Sequence, residues 1–537
     1  MLPLILALAF GVRLFVGLLQ PLDGDEAAGG IAAIDILHGR FPIVESGGHY
    51  LGAVESYVLA PFIAIFGPTQ FAIRFALSVV GVLYVLAMYA LARRLIAKSL
   101  SPARGGGQGG GLLMAAIAAV FPLYAVSYGV RARIYPLVLL FIALCFLLAI
   151  RLIFPSPAVR KGLPPPFTGE GRGGGAGSRR WYDWALFGLT AGVGMWNHSI
   201  LLLTLLVCAL MIGLQLVREG IRSADVRGAA IALGSAVVGF APWIGYNVAT
   251  HLGSLSSLSH AAVHHGTRRA VTELFVLGIP VFLGAEHLAG CVTGIVPWVL
   301  ADVAMVALLS VTIWLRRRSV LALLQLRWTR LAPVDFVLLL LPLTLLSVIV
   351  GPFNGAACDP RYLMPAAVPL VVIVALAIAV PWRGRWPFAA AAAIWIAMTA
   401  VTAANAIPDR NIFPFFDTRT TVDMPRAISA LEANQPGPMW ANYWLARPLQ
   451  YLSNEQLPVG EYGGYVGFPS LQAVPAAADK PSWIFLQNDP DRPIFEKACA
   501  SRGITYDRSF LSGLVLYDHL SARLTPDEFG WLTTINP

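Results

Sequence analysis

Apolar residues along this chain follow neither the period of a surface helix nor the alternation of a half-buried strand. They run for about twenty positions and then stop at short polar clusters. A helix of about twenty residues crosses a hydrocarbon layer of about 30 Å. The runs at 2–19, 71–96, 112–127, 135–154, 184–196, 199–217, 229–246, 292–315, 334–350, 363–380 and 387–404 therefore predict eleven membrane spans. Two further apolar stretches, 50–66 and 272–286, are shorter and bounded by polar residues, and predict helices lying along the membrane surface. From Ala406 the pattern changes. Short apolar runs such as 483–486 and 514–517 alternate with helix-like stretches such as 423–433, as in a small α/β domain. The expected architecture is an all-α polytopic membrane domain of about eleven transmembrane helices over 1–405, with juxtamembrane helices in external loops. A small C-terminal α/β domain follows at 406–537.

Composition agrees with this pattern. Of 537 residues, 57% are hydrophobic and 12% charged, against roughly a quarter charged in a soluble domain. A mean hydropathy of +0.69 excludes a soluble enzyme. The net charge of +9 does not point to nucleic acid, because the basic residues lie in short loops between apolar runs. Five loops, at 93–104, 151–180, 218–227, 316–330 and 383–385, hold 20 Lys and Arg, and the loops between them hold seven. The bias toward positive charge inside puts the five in the cytoplasm, and an odd number of spans puts the C-terminal domain on the other face. The first run has no basic stretch before it and no evident cleavage site after it, so it is expected to remain as a span. Segment 155–181 is rich in Gly and Pro and reads as a flexible cytoplasmic linker. Five scattered cysteines suggest neither a disulfide framework nor a metal site.

The candidate chemistry lies on the external side. The loop at 20–68 begins with Asp23, Asp25 and Glu26, three carboxylates crowded at a membrane surface, where one can titrate upward and serve as a general base. Arg131 and Arg133 occupy a short external turn against the charge bias, and Arg suits bidentate phosphate binding. Trp196-Asn197-His198 forms another tight external turn. In N-G-A-A-C-D-P-R-Y-L-M-P, at 354–365, Arg361 either pairs with Asp359 or neutralises a phosphate. The loop 251–269 contains His251, His260, His264 and His265 without carboxylate or Cys at ligand spacing, so no metal is assigned. No nucleotide-binding loop, nucleophile elbow or H-E-x-x-H motif occurs.

Taken together, these residues resemble a known family. Asp25-Glu26-Ala27 after a first span, the F-G-P-T-Q-F-A-I-R segment at 66–74, R-x-Y at 133–135, W-N-H at 196–198 and R-Y-L-x-P at 361–365 are similar to the GT-C glycosyltransferases. Within that superfamily they resemble the protein O-mannosyltransferase and aminoarabinose transferase group, over about the first 400 residues. The resemblance implies transfer of a sugar from a polyprenyl-phosphate donor to a hydroxyl of a lipid, glycan or protein. It implies an active site on the extracytoplasmic face of a bacterial inner or plasma membrane, and no cofactor. Asp25 would be the catalytic base with Glu26 beside it. Arg131, Arg133, Tyr135, His198, Arg361 and Tyr362 would line the substrate site. The family's K-P-P or P-P-L-Y segment is replaced here by H-Y-L-G-A-V-E-S-Y at 49–57, which leaves His49, Tyr50 or Glu55 for the donor contact. The competing class is a transporter or flippase of lipid-linked sugars. That class expects charges at mid-span, whereas the notable charges here cluster at external helix ends.

Overall fold

Ten of the eleven predicted spans fall on helices, and the eleventh, 387–404, lies outside the described residues. The structure, a computed structural model, describes residues 1–46, 48–99, 106–154, 180–254, 256, 266–284, 295–351, 360–379, 412–415, 418–463 and 467–531. The membrane domain opens with α1 (Leu2–Leu19) and α2 (Gly24–Leu37). A small hairpin, β1 (Val44–Glu45) with β2 (Gly48–Gly52), leads into α3 (Val54–Phe66). Then come α4 (Gln70–Ser99), α5 (Gly106–Val120), α6 (Leu123–Tyr128), α7 (Tyr135–Ile153), α8 (Trp181–Asn197), α9 (Leu201–Glu219) and α10 (Ser223–Ala249). Later helices include Ile295–Leu315, Pro333–Val350 and Ala367–Ala379, the last entered through a 3-10 turn at Pro360–Ala366.

Among the described residues seven helices are long and apolar enough to cross a membrane. They become eight when Val299–Leu315 is joined to Arg317–Leu324 across an 80° bend. The shortfall from the predicted spans has local causes. Span 112–127 is broken into α5 and α6 at Pro122, which has no N–H to continue the helix. The carbonyls left over in the last turn of α5 are taken by Arg13 of α1, which donates to Ala118 O (3.1 Å) and Ala119 O (2.8 Å). Helix α8 has only 17 residues. Stretch 50–66 resolves into β2 and the 13-residue α3, about 20 Å long at 1.5 Å per residue and so short of a crossing. Within stretch 272–286, Leu274–Gly278 form a π-helical turn followed by the short helix Ile279–Leu283.

The C-terminal domain has a five-stranded sheet in the order β6-β5-β7-β9-β8, preceded by a hairpin of β3 (Ile412–Phe415) and β4 (Thr418–Thr421). Strands β5 (Met439–Asn442), β6 (Val459–Tyr462) and β7 (Ser482–Leu486) are parallel. Strands β8 (Asp507–Leu511) and β9 (Leu514–Asp518) close the other edge antiparallel. The predicted runs at 483–486 and 514–517 lie on β7 and β9, and the predicted helix lies on Met424–Asn434, capped by Asp423. This domain sits on α2 through the helix Tyr443–Leu452. Close approach requires glycine at the seam: a Cβ on Gly24 would lie 2.9 Å from Trp444 Cα, and one on Gly30 would lie 2.5 Å from the Tyr451 ring. The sequence D-G-D-E-A-A-G-G thus supplies both the acidic residues and the flat surface on which the second domain rests.

Candidate active site

Helix α2 begins with a capping box. Asp23 accepts from the Glu26 N–H (3.0 Å), and Glu26 accepts in return from the Asp23 N–H (3.3 Å). Asp25 and Glu26 fall in the first turn, where the helix dipole favours anions. The capping geometry separates the three carboxylates. The side chains of Asp23 and Glu26 are 2% and 1% exposed, whereas that of Asp25 is 40% exposed.

Glu26 is held by the arginine that ends the F-G-P-T-Q-F-A-I-R segment, to which the sequence assigned no role of its own. Arg74, four residues into α4 and fully buried, forms a bidentate ion pair with it. The same guanidinium donates to Gly17 O (3.1 Å), Gln20 O (3.2 Å) and Val130 O (2.7 Å), joining the end of α1, the start of α2 and the turn before α7. Glu26 also accepts from the Ala132 N–H (3.2 Å). A lone Arg inside a long apolar helix is the signal that marks it, since an ionisable group at membrane depth needs a partner.

The two arginines of the turn before α7 reach the acidic loop. Arg133 bridges Asp23 (2.7 Å) and Asp25 (2.9 Å), and Arg131 lies 3.9 Å from Asp23 and donates to Gln20 Oε1 (2.9 Å). Burial acts to raise the Asp23 carboxyl, but Arg133 and then Arg131 outweigh it and hold it below the usual value. The second domain closes over this pair: the Trp444 ring lies 5.6 Å from the Arg133 guanidinium, and Tyr443 lies beside Trp444 with ring centroids 4.6 Å apart. Arg447 covers the Tyr443 ring at 5.1 Å and is held by Glu461 at 2.7 Å. Trp440 and Tyr451, in contrast, are core residues. Glu45 of β1, unremarked in the sequence, faces Asp25, Arg447 and Arg133. Its burial, and then the Asp25 charge, push it up to about 8.

A second group gathers around the segment after Arg133. Ile134 has φ +62°, a left-handed conformation that strains a β-branched residue by roughly 1–3 kcal/mol. Glu55 holds it by accepting from its N–H (2.9 Å), and the Asn197 amide donates to its carbonyl (3.2 Å). Burial, and then Glu45, hold the Glu55 carboxyl well above its ordinary value. Replacing Glu55 by Gln keeps an acceptor of the same shape, and turnover should stay within about threefold. Replacing it by Leu leaves the Ile134 N–H buried and unpaired, costing about 1–3 kcal/mol, and should lower turnover at least tenfold. Equal loss in both variants would refute this role.

Beyond Ile134, Tyr135 meets His198 (3.4 Å between Oη and Nε2), and its ring is edge-on to that of Tyr362. The His198 Nδ1 accepts from the Ile200 N–H (3.0 Å), so the ring proton sits on Nε2. Burial, and then the Arg361 charge, lower His198 to about 3, and it is neutral throughout the physiological range. The structure thus places Asp25, Glu26, Arg131 and Arg133 in one group, and Tyr135, His198, Arg361 and Tyr362 in an adjoining one. The His49 side chain, Cys358, Asp359, His260, His264 and His265 lie outside what is described.

No protein-family model and no curated protein sequence matches the chain. Among solved structures, the chain is similar to ArnT from Cupriavidus metallidurans bound to undecaprenyl phosphate. The TM-score is 0.54 at 11% identity, covering 96% of this chain and 97% of that one. It is similar to the apo state of the same protein with a TM-score of 0.57, also at 11% identity and with the same coverage. The chain is therefore an integral multi-pass membrane protein with the fold of ArnT.

Proposed function

We propose that this protein is a membrane glycosyltransferase that moves a sugar from a polyprenyl-phosphate carrier to an acceptor hydroxyl on the extracytoplasmic face. The observation that carries the reading is the separation of the carboxylates at the start of α2. Asp25 alone is open to solvent, held in place by Arg133, while Asp23 and Glu26 are consumed by capping and ion pairing. The undecaprenyl phosphate bound to ArnT supports a polyprenyl-phosphate donor.

In this reading Asp25 takes the proton of the acceptor hydroxyl as its oxygen attacks the anomeric carbon. The bond from that carbon to the phosphate oxygen breaks, and the phosphate leaves with the bonding electrons. One displacement inverts the anomeric centre. Arg131, Arg133 and Arg361 offset the charge that develops on the phosphate. Glu26 acts as a positioning residue, fixing the helix turn that aims Asp25. The protein's own guanidiniums supply the charge stabilisation, and no step calls for a cofactor.

The reading is tested with purified protein in lipid nanodiscs, given a panel of polyprenyl-phosphate sugars and host membrane extract. Polyprenyl phosphate should be released with one class of sugar and not with the others. No release from any donor, in a panel validated with a known transferase, would sink it.

A pH dependence follows from Glu45. Below about pH 8 this carboxyl is protonated and neutral, and above that it is an anion in the same pocket as the donor phosphate. The donor KM should therefore rise as pH passes through 8, and Glu45→Gln should remove that rise while leaving KM at pH 7 unchanged. Parallel KM profiles for the two proteins would overturn the assignment.

A further inference from the structure

The C-terminal sheet carries a second polar cluster that the reaction above does not use. The helix after β5, Tyr443–Leu452, packs through Leu445 and Leu449 on the sheet face that holds Met439 and Ile484. The helix after β7, Asp491–Ser501, packs through Phe495 and Cys499 on the opposite face with Trp440 and Trp483. Two adjacent parallel strands thus send their chains to opposite faces, the topology that in open α/β sheets leaves a crevice at the carboxyl ends. Open α/β sheets take ligands at such a switch point.

Four polar side chains converge there: Asn442 ends β5, Tyr462 ends β6 as its register partner, and Asp489 and Asp491 follow β7. Asp489 is 3% exposed, although Gln487, Asn488 and Pro490 around it are open to solvent. It accepts from the Asp491 N–H (2.9 Å), and Asp491 accepts from the Asn442 amide. Tyr462 is 2% exposed, and its hydroxyl, facing Asp489 and Asp491, has no hydrogen-bond partner among the described residues. A buried hydroxyl without a partner is unfavourable, and a bound group that supplies the missing bond removes that cost. Burial pushes Asp489 up to about 7 against the lowering effect of the Asp491 N–H bond, so near neutral pH it both donates and accepts. Such a set, able both to donate and to accept, matches vicinal hydroxyls. The crevice also adjoins the proposed catalytic loop, because Asn442 is followed directly by Tyr443 and Trp444, which reach Arg133 and Gly24.

We propose that this crevice is a carbohydrate-binding subsite that grips a sugar ring of the acceptor through Asn442, Tyr462, Asp489 and Asp491. Its assignment to the acceptor rests on the transferase reading, whereas the binding of a sugar does not.

The test uses the full-length protein in nanodiscs and a panel of methyl glycosides, read by saturation-transfer NMR. At least one glycoside should bind the wild type, and Tyr462→Phe should weaken it about tenfold, the loss of one hydrogen bond. Tyr462→Phe should also keep the wild-type melting temperature, since it deletes a hydroxyl that makes no hydrogen bond among the described residues. Asp489→Asn should weaken binding as well. A panel in which no glycoside binds overturns the proposal. So does unchanged binding in both variants, or a site that takes Ca²⁺ or Mn²⁺ alone and loses it in Asp489→Asn. Release of polyprenyl phosphate by the wild type separates the two readings. If no donor gives release, the transferase reading fails, while glycoside binding and its dependence on Tyr462 still decide the crevice.

Discussion

Asp25→Asn is expected to lower kcat by about 10²- to 10⁴-fold, the usual contribution of a positioned general base, without changing the thermal stability of the protein. The side chain is 40% exposed and its partner Arg133 keeps a second carboxylate in Asp23, so the amide removes basicity while leaving the packing of α2 intact. Donor KM should change little, because the group acts on the acceptor proton. The measurement is steady-state release of polyprenyl phosphate together with a melting curve. A variant that retains more than a tenth of wild-type turnover would transfer the role of base to another group, and Glu45 is the carboxyl that faces Asp25.

Arg74→Met should destabilise the protein by roughly 3–5 kcal/mol, because it strands Glu26 as a buried charge. Both side chains are essentially inaccessible, so water neither screens the pair nor solvates the survivor. Three backbone segments also lose a common donor, at Gly17, Gln20 and Val130. The double variant Glu26→Leu with Arg74→Met should recover much of the loss, since replacing a buried pair by apolar groups is far less costly than breaking it. Unfolding in a graded denaturant series would read both. If the single and double variants are equally unstable, the loss comes from packing around Arg74 and the charge argument is wrong.

These expectations divide by what each needed. The acidic loop, the arginine turn and the R-Y-L-x-P motif were visible as residue types that violate the composition around them. Asp23, Asp25 and Glu26 stand in a chain that is only 12% charged. Their different roles were not visible. Which carboxylate caps, which is paired and which stays open depends on where Arg74 and Arg133 arrive, from 48 and 108 residues further along. Glu45 drew no notice in the sequence and Glu55 only as a candidate donor contact, and burial among other carboxylates raises both. Asp489 and Tyr462 carry no motif, because they meet only where three strands end.

By itself the sequence determined that this is a multi-pass helical membrane protein with a separate α/β domain. Runs of about twenty apolar residues have no other stable state than a helix in lipid, and that constraint is local. The tertiary structure alone decided that the second domain rests on α2, that Trp444 covers Arg133 and that one of three adjacent carboxylates remains available. Those outcomes depend on burial and on charge pairing between distant segments, neither of which leaves a periodic trace along the chain.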